Sequence, residues 1–149
     1  MDYSSKAKEL FNSGYNCSQA VVLAFKDKLN LDEKTLVSLS SSFGGGISRL
    51  REVCGCISGM AIVLGLLYGN YDVNDNEAKA KHYQMIQKLA LQFKEKYNTY
   101  NCAELLNLEK GPSNYVPEKR SKEYYEKRPC GNYIAFMASL IEREIKEHE

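Results

Sequence analysis

The fold is decided by residues 53–68, whose sequence is VCGCISGMAIVLGLLY. This apolar stretch is shorter than the roughly 20 residues that a membrane-spanning helix needs. Because it is apolar nearly all round, it predicts a central helix, from Val53 to about Leu67, with other helices packed against it. Gly55 and Gly59 lie four residues apart and allow a close backbone approach on one side of this helix.

On both sides of this stretch, apolar residues recur at spacings of three and four, and no run alternates strictly between apolar and polar residues. This periodicity predicts an all-α fold, a single-domain bundle of about five to seven helices over residues 1–149. The other predicted helices are one starting near Cys17, one that follows the N-cap Asp32 and ends at Gly44-Gly45-Gly46, and those at about 76–97, 102–107, 117–124 and from Gly131 onward.

Charge and composition exclude several classes of partner. The chain has 20 Lys and Arg against 19 Asp and Glu, a net charge of +1, so neither nucleic acid nor an anionic membrane is expected as a partner. The basic residues of the stretch 119–128 alternate with glutamates, which indicates a solvated mixed-charge face. Residues 1–8 lack the pattern of an export signal, so we expect a cytoplasmic protein without a membrane span.

The five cysteines are the chemically informative residues. In a cytoplasmic protein thiols stay reduced, which favours catalysis, redox sensing or metal binding over structural disulfides. Two cysteines share a local frame, Tyr15-Asn16-Cys17-Ser18-Gln19 and Tyr100-Asn101-Cys102-Ala103-Glu104. In both frames the Asn can cap a helix, and the Gln or Glu three residues later can complete a capping box. Each cysteine is therefore predicted to be the first residue of a helix.

A thiolate is stabilised at a helix start by unpaired amides and by the positive end of the helix dipole. Cys54 and Cys130 have a similar setting, since Arg51 precedes the first and Arg128 the second at predicted helix starts. If these four helix starts converge, they form a thiolate-lined pocket for a soft metal or an iron–sulfur cluster.

Cys56 and the glycines have two interpretations. On a regular helix Cys54 and Cys56 point to nearly opposite sides, which places Cys56 in the core. If the chain is not yet helical at Cys54, Gly55 lets both thiols reach one ion. Gly45 and Gly46 lie in a permissive turn and, with Gly55, are candidates for bringing backbone amides close to the sulfurs of a cofactor.

Together these stretches resemble a family of redox-active proteins named for their C_GCAxxG_C_C cysteine pattern. The resemblance is carried by residues 14–20 (GYNCSQA), 43–47 (FGGGI) and 53–59 (VCGCISG), by Asn101-Cys102 and by Cys130. It implies four shared cysteines, which map to Cys17, Cys54, Cys102 and Cys130. Cys56 departs from the pattern, because it stands where the family motif has alanine.

The resemblance implies a redox role but names no substrate or redox partner. A similar cysteine module accompanies haem domains in some cytochromes, which favours an iron–sulfur cluster over zinc, and a zinc or iron ion stays the alternative cofactor. We therefore expect a cluster or metal bound by Cys17, Cys54, Cys102 and Cys130, for electron transfer or redox sensing.

Two alternatives stay open. The first is a metal-free thiol–disulfide oxidoreductase in which Cys54 or Cys17 is the low-pKa attacking thiol. The second is a helical interaction scaffold with inert thiols. Whether the protein is an enzyme is also open, and a homodimer is one option for its assembly.

Overall fold

The computed structural model describes residues 2–149, and every regular element in that range is helical. The prediction of an all-α fold is confirmed. Among these residues six helices have eight or more residues and three are shorter. In chain order the helices are α1 (Tyr3–Asn12), α2 (Cys17–Ala24), α3 (Glu33–Ser40), α4 (Gly44–Ile47), α5 (Gly55–Tyr68), α6 (Asn76–Tyr97), α7 (Cys102–Leu105), α8 (Lys122–Lys127) and α9 (Cys130–Glu147), with a 3₁₀ turn at Lys26–Lys28.

Helix α2 is the most completely enclosed element. Residues 20–24 are all buried, and α2 packs against α1, α3, α5 and α9. Its close partner is α5, because a Cβ atom at Gly59 would lie only 3.0 Å from Cβ of Val21. The glycine therefore permits the close approach that the sequence predicted. Helices α1 and α9 close the other side of the bundle.

Helix α5 differs from its prediction in one respect. Its buried face includes Met60, Val63 and Leu64, and this face contacts α2, α6 and α9. The opposite face is also apolar but is only partly covered, since Ile62 and Leu67 are half-buried and Leu66 is 41% exposed. Helix α5 is therefore apolar on all sides but is not buried on all sides. None of the helices in residues 2–149 combines the length and the apolar character needed to cross a bilayer.

Capping explains why α2 and α7 start at cysteines. The Asn16 side chain accepts a hydrogen bond from the Gln19 amide at 2.9 Å, and the Gln19 side chain accepts one from the Asn16 amide at 3.1 Å. Asn101 likewise accepts from the Glu104 amide at 3.1 Å. The second half of that box is missing, because the Asn101 amide donates to the Thr99 hydroxyl at 3.0 Å instead. The predicted capping box is complete only in α2.

Two predicted boundaries need correction, and one helix was not predicted. Helix α3 ends at Ser40, before the glycines that were expected to end it, and the short helix placed at 117–124 begins after Ser121 instead. The Ser121 hydroxyl accepts a hydrogen bond from the Tyr124 amide at 3.1 Å, so the helix begins after this cap and not at Pro117. Helix α1 was not predicted, because its apolar contribution to the core is limited to Ala7 and Phe11.

Candidate functional site: a cysteine and arginine cavity

Four helix starts meet at one cavity. Cys17, Cys102 and Cys130 are the first residues of α2, α7 and α9, and Cys54 is the N-cap residue of α5. All four cysteines line a cavity of about 360 Å³. The structure therefore brings together residues that are up to 113 positions apart in the chain, since Cys17 and Cys130 are the outermost of the four.

Cys56 lies beneath this cavity and does not line it. It is fully buried, as the helical spacing indicated, yet its thiol neighbours those of Cys17 and Cys54. The contact with Cys54 is possible because Cys54 has extended rather than helical backbone angles (φ −53°, ψ 137°), so the two side chains do not diverge as on a regular helix. Cys17, Cys54, Cys56 and Cys130 therefore form one group of neighbouring thiols, which we call the thiol cluster.

Three thiols of the cluster have shifted pKa values, one lowered and two raised. Hydrogen bonds from Cys130 and Cys56 hold the pKa of Cys17 well below its ordinary value, against the effect of burial, and the charge of Arg120 acts in the same direction. Bonding to Cys17 and burial raise the pKa of Cys130, and bonding to Cys17 and Cys54 raises that of Cys56. Cys17 is thus the favoured thiolate. It is also half-buried, whereas the other cysteines are buried.

Cys102 has a different environment at another wall of the cavity. Burial raises the pKa of its thiol, and Arg51 opposes this effect. Arg51 Nη1 lies 3.6 Å from Cys102 Sγ, while Arg51 Nε donates to the Ser113 hydroxyl at 2.9 Å. Arg51 is itself buried, with 5% of its surface exposed.

A left-handed turn positions this wall. Residues 45–49 all have positive φ angles, 71°, 68°, 67°, 48° and 69°, and Arg51 has 63°. Each non-glycine residue in this conformation costs roughly 1–2 kcal/mol, so the turn stores strain next to the cavity. Hydrogen bonds from the Arg51 amide to the Gly45 carbonyl (3.1 Å) and from the Glu52 amide to the Gly46 carbonyl (3.0 Å) hold it in place.

The predicted glycines occupy three different positions. Gly45 and Gly55 line the cavity. Gly46 packs behind Cys102, where an added Cβ would meet Cys102 Cβ at 2.7 Å. A Cβ at Gly55 would meet Cys17 Cβ at 3.1 Å. The glycines therefore allow backbone to pack tightly against two of the cysteines.

Four arginines also line the cavity, Arg49, Arg51, Arg120 and Arg128, and Glu118 is the only carboxylate among its lining residues. Arg120 Nη1 and Nη2 donate to the backbone carbonyls of Phe11 and Tyr15 at 2.9 and 3.0 Å. The prediction of a solvated mixed-charge face at 119–128 is therefore wrong for Arg120 and Arg128. The partners of Arg120 lie more than 100 positions away in sequence, so no local pattern marks its inward orientation.

Comparison with known families agrees with the cysteine arrangement. A family model described as "Putative redox-active protein (C_GCAxxG_C_C)" matches residues 15–144. The chain belongs to this family. The match confirms the resemblance and includes all five cysteines. Neither a curated protein nor a solved structure matches the chain.

In this member of the C_GCAxxG_C_C family, the four cysteines that share a cavity are not arranged as a metal site. Within residues 2–149, no group of three or more His, Cys, Asp or Glu side chains has positions suited to holding a metal ion. All five cysteines are free thiols. The arrangement supplies one thiol, Cys17, whose pKa is lowered, neighbouring thiols at Cys56 and Cys130 whose pKa is raised, and four arginines that line the same cavity.

Proposed function

We propose that this protein is a thiol-based redox module in which Cys17 is the attacking thiolate and Cys130 is the resolving thiol. The observation that carries the proposal is that these two residues begin α2 and α9 and line the same cavity, where Cys130 is the largest cause of the lowered pKa of Cys17. Hydrogen bonding from Cys130 favours the thiolate of Cys17, which is the nucleophilic form of the thiol. Cys54, the other attacking thiol considered from the sequence, lines the same cavity but is buried, whereas Cys17 is half-buried.

The proposed reaction is a two-electron exchange with a disulfide. The Cys17 thiolate attacks one sulfur of the substrate, forms a mixed disulfide and releases the other sulfur as a thiolate. Cys130 then transfers its proton to that leaving thiolate and attacks the Cys17 sulfur, which releases the second substrate thiolate. The substrate gains two electrons and the protein holds a Cys17–Cys130 disulfide. A reducing dithiol restores the protein by the reverse exchange.

Mass spectrometry of the protein in a series of glutathione redox buffers tests this proposal. We expect a loss of two hydrogen atoms per chain in one step, with the disulfide mapped to Cys17 and Cys130. Cys17→Ser and Cys130→Ser should abolish the step, whereas Cys102→Ser should preserve it. Absence of the step from the wild-type protein, or a step that survives Cys17→Ser, would contradict the proposal.

A second candidate is an iron–sulfur cluster or metal held by Cys17, Cys54, Cys102 and Cys130. It is favoured by the presence of all four thiols, which are soft ligands, around one cavity. Their side chains do not stand in a coordinating arrangement, so we derive no reaction step from such a group. Iron, zinc and acid-labile sulfide in protein purified without air test it. Stoichiometric metal that is lost in Cys102→Ser would favour this candidate, since the dithiol mechanism does not need Cys102.

A further inference from the structure

The cavity carries positive charge that the protein leaves largely unbalanced. Among the described residues, Arg128 pairs with the Glu118 carboxylate, whereas no carboxylate of residues 2–149 forms an ion pair with Arg49, Arg51 or Arg120. Burying a guanidinium without a counterion is costly. Arg51 is 5% exposed, and its hydrogen-bond partners among residues 2–149 are the Ser113 hydroxyl and the Cys102 sulfur.

The strained turn makes this charge a built feature of the cavity. Arg49 and Arg51 both have left-handed backbone angles, and both line the cavity. Arg49 Nε donates to the Asn114 carbonyl at 2.6 Å, which fixes the guanidinium without neutralising it. Residues 45–51 therefore combine a strained backbone with two arginines that are directed at the cavity. Strained backbone of this kind clusters at ligand sites.

The rest of the lining fits an organic molecule. Phe11, Leu105, Leu106 and Tyr124 contribute apolar and aromatic surface, and Arg120 stacks on Phe11 with its guanidinium carbon 4.5 Å from the ring centroid. A cavity of about 360 Å³ has the size of small-molecule sites rather than of a protein interface. The ligand therefore combines a compact apolar body with negative charge.

We infer that the cavity binds a small organic anion, namely a low-molecular-weight disulfide that carries carboxylate groups, with the carboxylate at Arg49 and Arg51 and the disulfide at Cys17. This inference rests on the proposed function, because it names the substrate class of the same thiol site. Guanidinium groups bind carboxylates through paired hydrogen bonds, which makes arginine well suited to this role.

Alkylation of Cys17 by two reagents of different charge tests anion binding without any redox step. Iodoacetate and iodoacetamide perform the same displacement, but only iodoacetate carries a carboxylate. Peptide mapping measures the two alkylation rates at Cys17. Their ratio, divided by the same ratio for a small reference thiol, reports the charge preference of the cavity. We expect this normalised ratio to be about tenfold in favour of iodoacetate at low salt, and to fall as salt is added.

Matched variants assign the preference to the cavity. Arg49→Gln should reduce the normalised ratio severalfold, and Arg49→Lys should retain most of it. Arg143→Gln removes the same charge from the exposed side of α9 and should leave the ratio unchanged. A normalised ratio near one, equal effects of Arg49→Gln and Arg143→Gln, or a Cys17 that reacts with neither reagent would overturn the inference.

A charge series of small disulfides connects anion binding to the redox reaction. Reduced protein should be oxidised fastest by 3,3′-dithiodipropionate, more slowly by neutral 2-hydroxyethyl disulfide and slowest by cystamine, each rate normalised to the reference thiol. Equal normalised rates with formation of the Cys17–Cys130 disulfide would overturn this inference and leave the proposed function intact. Failure of all three to form the disulfide would overturn the proposed function, and the alkylation ratio would still decide whether the cavity binds anions.

Discussion

Arg51 Nη1 lies 3.6 Å from the sulfur of Cys102, which makes a buried cation and a thiol direct neighbours across the wall of the cavity. Arg51 reaches this position from a residue with φ 63°, after a turn whose left-handed residues begin at Gly45. The same turn places Gly46 against Cys102. Charge, strain and tight packing therefore coincide at one cysteine of the family pattern.

Removal of the Arg51 charge should change the acidity of Cys102. Burial raises the pKa of this thiol and Arg51 opposes the rise, so Arg51→Gln should move the pKa further upward. The pH dependence of iodoacetamide alkylation at Cys102, followed by peptide mapping, measures the effect. We expect the half-maximal rate at a higher pH in Arg51→Gln than in wild type. Arg143→Gln is the control, and an identical profile in all three proteins would rule out the electrostatic role of Arg51.

Cys130 should control the reactivity of Cys17. The hydrogen bond from Cys130 is the largest cause of the lowered pKa of Cys17, so Cys130→Ala should raise that pKa toward the ordinary value. Alkylation requires the thiolate, and its rate at Cys17 near neutral pH should therefore fall in the variant. Cys102→Ala is a suitable control because Cys102 contributes no bond to Cys17. An unchanged pH profile in Cys130→Ala would show that the two thiols are not paired.

The sequence could predict the features that rest on local patterns. Helix α6 was expected at about 76–97 and occupies Asn76–Tyr97, because its apolar stripe is long and regular. The start of α2 was predictable from the Asn16 and Gln19 side chains alone, since a capping box is formed within four residues. The position of Cys102 at the start of α7 followed from the same short-range rule, through the Asn101 cap.

The charged half of the site could not be predicted, because it depends on contacts between distant segments. Arg120 is turned inward by carbonyls of residues more than 100 positions earlier, Phe11 and Tyr15. In the local sequence it looks like one charge in an alternating run. Cys56 shows the same limitation, since helical spacing correctly indicated burial but not its contact with Cys17, which belongs to another helix.

Tight packing at Gly46 makes a stability prediction. Gly46 has φ +68°, and a Cβ there would lie 2.6 Å from the Glu52 amide nitrogen and 2.7 Å from Cys102 Cβ. Gly46→Ala should therefore lower the free energy of unfolding by more than about 2 kcal/mol, from backbone strain and overlap together. Urea denaturation of the reduced protein measures this change.

Gly65 is the matched control for that substitution. It lies inside α5, and an added Cβ would have no neighbour within 4 Å. Gly65→Ala should raise the free energy of unfolding by roughly 0.5–1 kcal/mol, because alanine restricts the unfolded chain and favours the helix. If Gly46→Ala proved as harmless as Gly65→Ala, the left-handed turn would not have the close contacts described above.

Glu144 should give the stability a component that is lost in acid. It is buried on α9, where its carboxylate lies 2.9 Å from Lys88 Nζ and 2.9 Å from His148 Nε2. Burial acts to raise the pKa of Glu144, but the hydrogen bonds from Lys88 and His148 outweigh it and place the pKa below the ordinary 4.5. A lowered folded-state pKa stabilises the protein above the unfolded value, and this contribution disappears as the pH falls through the folded value.

Glu144→Gln should therefore cost about 1 kcal/mol of unfolding free energy near neutral pH and show a weaker decline of stability below about pH 4.5. Urea unfolding at several pH values measures both effects. Glu147→Gln is the control, because Glu147 binds the same Lys88 Nζ at 3.0 Å but is half exposed. Its effect should be smaller, since exposed ion pairs contribute little. Parallel pH profiles for wild type and Glu144→Gln would mean that the lowered pKa of Glu144 is not coupled to folding.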